Sequence, residues 1–179
     1  IKTGNRLGEA ISELQNAINQ DSEYAEPHLE LFGIYATMGD WERAILYASE
    51  AIKIDPDNPA AYTNRGVAYF TINEFEKAID DLEIATRIDP NDIQALMNLA
   101  ACYIRKEEYS KTLDLMTNEM LIETNDPRVY FFRGIANYYL KNHKNAINNL
   151  SIYCELGGYT GFHSVEKTME LINNMKIEK

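Results

Sequence analysis

The sequence predicts an all-α chain made of antiparallel helix pairs stacked along its length. Three observations carry this reading. A short motif returns every 34 residues, as Glu9-Ala10-Ile11, Arg43-Ala44-Ile45, Lys77-Ala78-Ile79, Lys111-Thr112-Leu113 and Asn145-Ala146-Ile147. Independent columns keep the same period. Asp55-Pro56 and Asp89-Pro90 are 34 apart, and Arg65-Gly66-Val67-Ala68 returns 68 residues later as Arg133-Gly134-Ile135-Ala136. Within one period the helical spacing appears twice, first in Tyr62, Arg65, Gly66 and Tyr69, then in Phe75, Ala78, Ile79, Leu82, Ala85 and Thr86. No stretch alternates in the manner of a strand.

The elements follow in order. Residues 1–24 read as the second helix of an earlier pair, with Leu7, Ala10, Ile11, Leu14, Ala17 and Ile18 as its apolar stripe. Residues 25–58, 59–92, 93–126 and 127–160 read as four helix pairs. Asn58-Pro59 and Asp126-Pro127 give a cap followed by proline in the first turn of a helix. Asp55-Pro56 and Asp89-Pro90 end the helices before them, because proline cannot continue a helix. Gly39-Asp40 breaks one helix and caps the next. Small residues at Gly66, Gly134, Ala44, Ala78 and Ala146 let paired helices approach. Tyr35, Tyr69 and Tyr103, with Trp41, Phe75 and Tyr109, fill the remaining space. Residues 161–179 read as a terminal helix with Val165, Met169, Ile172 and Met175 on its inner face, closing the last pair.

This pattern resembles the tetratricopeptide repeat (TPR), and the resemblance covers nearly the whole chain. The best copy is 59–92, where Tyr62, Gly66, Tyr69, Phe75, Ala78, Leu82, Ala85 and Pro90 fit the family's columns. In 25–58, Leu31, Tyr35, Ala44, Ala51 and Pro56 fit, while Phe32 stands at a normally small site. The copy at 93–126 is degenerate in its second half, with Thr112, Glu119 and Thr124 in place of small residues and proline. The copy at 127–160 keeps Tyr130, Gly134, Ala146 and Leu150 but ends in Gly157-Gly158. The resemblance implies a right-handed superhelical solenoid whose first helices line a concave surface. It also implies a scaffold that binds a peptide or protein partner.

Composition narrows the function further. The chain has 179 residues, 45% of them hydrophobic and 25% charged, with 17 basic and 28 acidic side chains. No apolar run approaches the roughly 18 residues of a membrane span. The acidic balance, with a sequence pI near 4.7, argues against a nucleic-acid partner. Residues 1–92 hold 7 Lys/Arg and 18 Asp/Glu and so carry the entire charge of −11. That asymmetry points to a basic partner for the first half. Two cysteines exclude a disulfide scaffold and a four-cysteine zinc site. His28, His143 and His163 lack metal-ligand spacing, and His28 and His143 fall in aromatic columns, so we read these two as packing residues. Asp80-Asp81 reads as a solvated helix face. Asn149-Leu150-Ser151 fits the glycosylation sequon but lies inside a helical pattern. No catalytic constellation, cofactor motif or metal site is expected.

The family's geometry would turn one residue set of each first helix toward the groove. These are Glu26, Leu29, Glu30, Gly33 and Thr37, then Ala60, Thr63, Asn64, Val67, Phe70 and Thr71. Gln94, Met97, Asn98, Ala101, Ile104 and Arg105 follow, then Arg128, Phe131, Phe132, Ile135, Tyr138 and Tyr139. From these the expected partner-binding residues are Asn64, Phe70, Met97, Asn98, Ile104, Arg105, Arg128, Phe131, Ile135 and Tyr138. Asn64 and Asn98 stand one repeat apart, where relatives in this family commonly hold a peptide backbone. Phe131, Ile135 and Tyr138 share one face at i, i+4 and i+7 and form the expected anchor, with Arg105 and Arg128 beside them. The basic clamp by which some family members grip acidic chaperone tails is incomplete. Only Asn98 and Arg128 match it, while Thr63, Val67 and Phe132 hold its other sites. Self-association through the apolar stripe of residues 1–24 is a further expectation.

Overall fold

The structure, a computed structural model, describes residues 2–117, 126–158 and 164–177; the side chains of residues 2–5 and 177 fall outside that description. Among the described residues there are ten helices and no strand. They are α1 (Lys2–Gln20), α2 (Glu26–Thr37), α3 (Trp41–Ile54), α4 (Pro59–Thr71), α5 (Phe75–Ile88), α6 (Ile93–Arg105), α7 (Tyr109–Leu115), α8 (Pro127–Tyr139), α9 (His143–Glu155) and α10 (Val165–Ile177). The chain forms two compact units, residues 1–99 and 100–179. In the first, α1 packs on α2, α2 on α3, α3 on α4 and α4 on α5. In the second, α7 packs on α8, α8 on α9 and α9 on α10.

Side-chain caps start several of these helices. Asp40 accepts from the Arg43 amide at 3.1 Å, Asn58 from Ala61 at 3.3 Å and Asp126 from Arg128 at 2.8 Å. Each such cap is worth about 1 kcal/mol. The turn from first to second helix is built the same way each time. Gly39, Asn73, Glu107 and Lys141, spaced 34 apart, are all left-handed, with φ of 75°, 64°, 62° and 62°. The next amide then reaches five residues back, from Asp40 to the Tyr35 carbonyl (2.9 Å) and from Glu74 to Tyr69 (2.9 Å). Glu108 to Tyr103 and Asn142 to Asn137 repeat the bond at 2.8 Å each. This satisfies carbonyls that the helix end would leave unpaired.

Packing inside a pair depends on one complementary position. A Cβ on Gly66 would lie 2.8 Å from Leu82 Cγ, and a Cβ on Gly134 would lie 2.5 Å from Leu150 Cδ2. The equivalent residues of α2 and α3 are Phe32 and Ala48, both in the core of the first unit. The large side chain has moved to the first helix and the small one to the second, which is how Phe32 fits a normally small site. The same core takes Ile11, Leu14 and Ile18 from α1, so that stripe is covered from one side by α2.

The second unit departs from the regular pattern in two places. The helix that starts at Tyr109 ends after 7 residues, where α3 and α5 run for 14. Thr112, in the alanine column, is fully buried within it. Glu119, Thr124, Gly161 and His163 lie outside the described residues. On α10 the inward residues are Val165, Thr168, Ile172 and Met175, with Met169 exposed. This corrects the expectation for Met169. The i, i+3, i+7, i+10 line from Val165 passes through Thr168, a small side chain that tolerates close approach. Gly158 makes room beneath it, since a Cβ there would lie 2.8 Å from Val165 Cγ2.

Candidate functional site

Several charged residues belong to the scaffold rather than to a site. Asp81 is buried at 4% exposure, which corrects its reading as solvated; Asp80 alone is exposed. The Asp81 oxygens accept two parallel bonds from Arg65, Nε to Oδ2 at 2.7 Å and Nη2 to Oδ1 at 2.8 Å. Arg65 Nη1 donates to Ser49 Oγ at 3.1 Å, so one guanidinium ties α4 to both α5 and α3. The bonds to Asp81 raise the Arg65 pKa above its ordinary value. In the second unit Asn149 stands where Asp81 would be. Arg133 instead donates to the Met116 carbonyl at 2.8 Å, an acceptor exposed by the early end of α7. Burial lowers the Arg133 pKa, and its Nε has no partner among the described residues.

A second repeated device holds the cations at the start of the second helices. Arg43 lies over the Tyr35 ring, Lys77 over Tyr69 and Lys111 over Tyr103, at 4.4, 5.5 and 5.2 Å. Each is also paired with the acid three residues earlier, Asp40, Glu74 or Glu108. In α8 and α9 the three equivalent positions are Asn137, Asn145 and Asn142, so the charged device is lost as a set.

The histidines and cysteines sit within the packing. His28 is buried, tilted against Tyr47 at 6.0 Å, and burial lowers its pKa despite the opposing charge of Glu50. Cys102 is fully buried and its thiol is pushed up to about 12 by burial, which suppresses the reactive thiolate. Asn149 of the sequon is buried in α9 and its Nδ2 donates to the Asn145 carbonyl at 2.7 Å, leaving no path for a glycan. Among the described residues no group of three His, Cys, Asp or Glu is placed to hold a metal.

What remains is the outer face of the first helices. On α2 this face is Glu26, Glu30, Gly33 and Thr37, all exposed at i, i+4, i+7 and i+11, with Leu29 half-buried. On α4, which touches α2, it is Ala60, Asn64, Val67, Phe70 and Thr71. Phe70 packs edge-on against Phe75 at 5.6 Å and stays half-buried. Within the first unit α6 adds Gln94 and Asn98, while Met97 is buried at 3% exposure.

Neither Asn64 nor Asn98 hydrogen-bonds through its side chain to any described residue, and Asn98 Nδ2 is buried without a partner. The contrast is with Asn137 and Asn149, whose amides return to the carbonyl four residues back. The two expected peptide-holding amides are the uncommitted ones.

The second unit carries the aromatic part of the expectation, with changes. Phe131 is 8% exposed, edge-on to Phe132 at 5.9 Å and tilted against Tyr153 of α9 at 5.1 Å. It is a core residue here, because its ring fills the space between α8 and α9. Met97 and Phe131 therefore offer little surface to a partner. Arg128 is bonded to Asp126, with Nη2 to Oδ2 at 2.7 Å, and serves the helix start. Ile104 and Ile135 are half-buried and Arg105 is exposed. Tyr138 lies at 5.2 Å from Tyr139, which stacks flat on Tyr109 at 4.6 Å with half its surface exposed. The stacked pair was not legible in the sequence, since 30 residues separate its rings and no periodicity links them.

These features define a class first: an all-α protein of repeated helix pairs, whose side-chain networks serve packing. Residues 31–97 match the sequence model of the tetratricopeptide repeat. Solved structures share the fold. MamA is 23% identical, with 87% of this chain and 91% of that one covered and a TM-score of 0.78. YrrB, described as a TPR protein with an unusual peptide-binding site, is 20% identical over 80% of this chain and 74% of its own, at a TM-score of 0.71. PilF of Pseudomonas aeruginosa is 18% identical over 88% and 72%, at 0.74. At these identities the likeness is one of fold. No curated protein matches the sequence.

Proposed function

We propose that this chain is a non-catalytic interaction module that holds an extended peptide of a partner protein on the outer face of its first helices. The observation that carries the reading is the pair Asn64 and Asn98. They occupy equivalent sites on α4 and α6, and neither amide bonds to a described residue. A carboxamide donates and accepts at once, which suits the alternating N–H and C=O of a peptide backbone. Val67 and Phe70, half-buried on the same helix, would supply apolar contact. The peptide-binding site described for YrrB is support from a protein of the same fold. The test is Asn64→Ala with Asn98→Ala, followed by melting and by titration with peptides selected on the parent protein. Loss of binding with an unchanged melt supports the proposal; unchanged binding refutes this face.

A further inference from the structure

We propose that the face formed by α2 and the adjoining side of α4 takes a peptide segment carrying lysine or arginine. This rests on the peptide-binding reading above and adds the chemistry of the partner. Three observations converge on it.

The first is the charge of the unit. All of the chain's net charge of −11 falls in residues 1–92, and residues 93–99, which complete the first unit, contain no charged side chain.

The second is where that charge is left uncompensated. Glu26 and Glu30 lie one turn apart on the exposed face of α2, and neither forms an ion pair among the described residues. Like charges at this spacing work against the helix. No Lys or Arg lies on α2, and the one on α4, Arg65, is turned onto Asp81 and Ser49. Arg43, Lys53 and Lys77 are likewise held by acids on their own or adjoining turns. The face is thus negative, and among the described residues α2 and α4 bring no free cation to it. A basic side chain from outside supplies the missing charge.

The third is Gly33. It sits inside α2, exposed, and an added Cβ would meet nothing within 4 Å. A glycine there weakens the helix and serves no contact within the chain. It does leave the backbone open beside Glu30, so an extended segment can lie close while its basic side chain reaches the carboxylates. Val67 is the equivalent residue of α4 and gives that segment an apolar neighbour.

The experiment uses the whole chain and a displayed library of random dodecapeptides, with enriched peptides then measured by titration calorimetry. Enriched sequences are expected to carry Lys or Arg. Their affinity should drop on the order of fivefold in the Glu26→Gln/Glu30→Gln double variant, as for two exposed ion pairs. It should also fall with added salt. Gly33→Leu should block binding, whereas Glu42→Gln on α3 should leave it unchanged. All four positions are exposed, so no melt should fall below the parent's, and Gly33→Leu should raise it because leucine favours the helix more than glycine does. Enriched peptides that lack basic residues overturn the inference. So does binding that ignores the double variant yet is lost in Asn64→Ala/Asn98→Ala, which would leave the peptide-binding reading in place. A library that yields no binder counts against that reading itself, and the inference falls with it.

Discussion

Gly134 of α8 faces Leu150 of α9 so closely that a methyl group on the glycine would lie 2.5 Å from Leu150 Cδ2 and 3.3 Å from its backbone nitrogen. Gly66 and Leu82 repeat the arrangement, and Phe32 with Ala48 inverts it. The helix pair is therefore specified by the combined size of two residues 16 apart. We expect Gly134→Ala to cost about 1–3 kcal/mol, as overpacking does. Adding Leu150→Ala should cost less in that background than in the parent, because the cavity receives the methyl. Chemical denaturation of the two singles and the double checks this; strict additivity would mean that the close approach is not what limits packing.

The Arg65–Asp81 bond and its altered counterpart make a paired prediction. Asp81→Asn should destabilise by about 2–3 kcal/mol, since it removes a charge-assisted bond and leaves a half-buried guanidinium. Asn149→Asp should do the reverse, placing a carboxylate where Arg133 has a buried Nε without a partner. Urea denaturation of each variant beside the parent checks both signs.

The left-handed turn column predicts that Glu107→Gly and Lys141→Gly each stabilise by about 1 kcal/mol, because L side chains pay a steric cost there that glycine does not. Asn73→Gly should change less, as asparagine tolerates this conformation. Gly39→Ala should destabilise by a similar amount. Thermal melts of the four variants check the order.

His28 gives a second pH effect. Its folded pKa is lowered by burial, so the unfolded chain binds its proton first. Stability from this site is full above the unfolded value near 6.5 and declines as pH falls from there toward the folded value. His28→Phe should flatten that limb of the profile. A limb that persists unchanged would assign the effect to another group.

Phe131→Ala should lower stability by about 3–5 kcal/mol, as truncation of a core aromatic does. Tyr138→Ala should cost less, because Tyr138 remains half-buried. Equal small losses at both positions would return Phe131 to the surface.

The fold was largely legible because a repeat writes the same physical requirement several times. Proline after a cap at Asn58 and Asp126, and a small residue at Gly66 and Gly134, each state a local rule that needs no knowledge of the rest of the chain. The turns at Asn73, Glu107 and Lys141 were harder to see, since these residues take the left-handed conformation only because the hydrogen bonds around them impose it. The amide pair Asn64 and Asn98 could be named from spacing alone. Whether those amides were already engaged, as in Asn137 and Asn149, could not.

The sequence by itself determined the helices, their pairing, the uneven charge and the absence of apolar spans, because periodicity, caps and composition are properties of neighbours along the chain. Only the tertiary structure decided that Asp81 is a buried partner of Arg65, that Phe131 is core, that Arg128 serves Asp126, and that Glu26 and Glu30 stand unpaired. The physical reason is common to all four. Burial and pairing depend on which side chain arrives from another helix, and a carboxylate or a ring carries no mark in the sequence of the partner that will reach it.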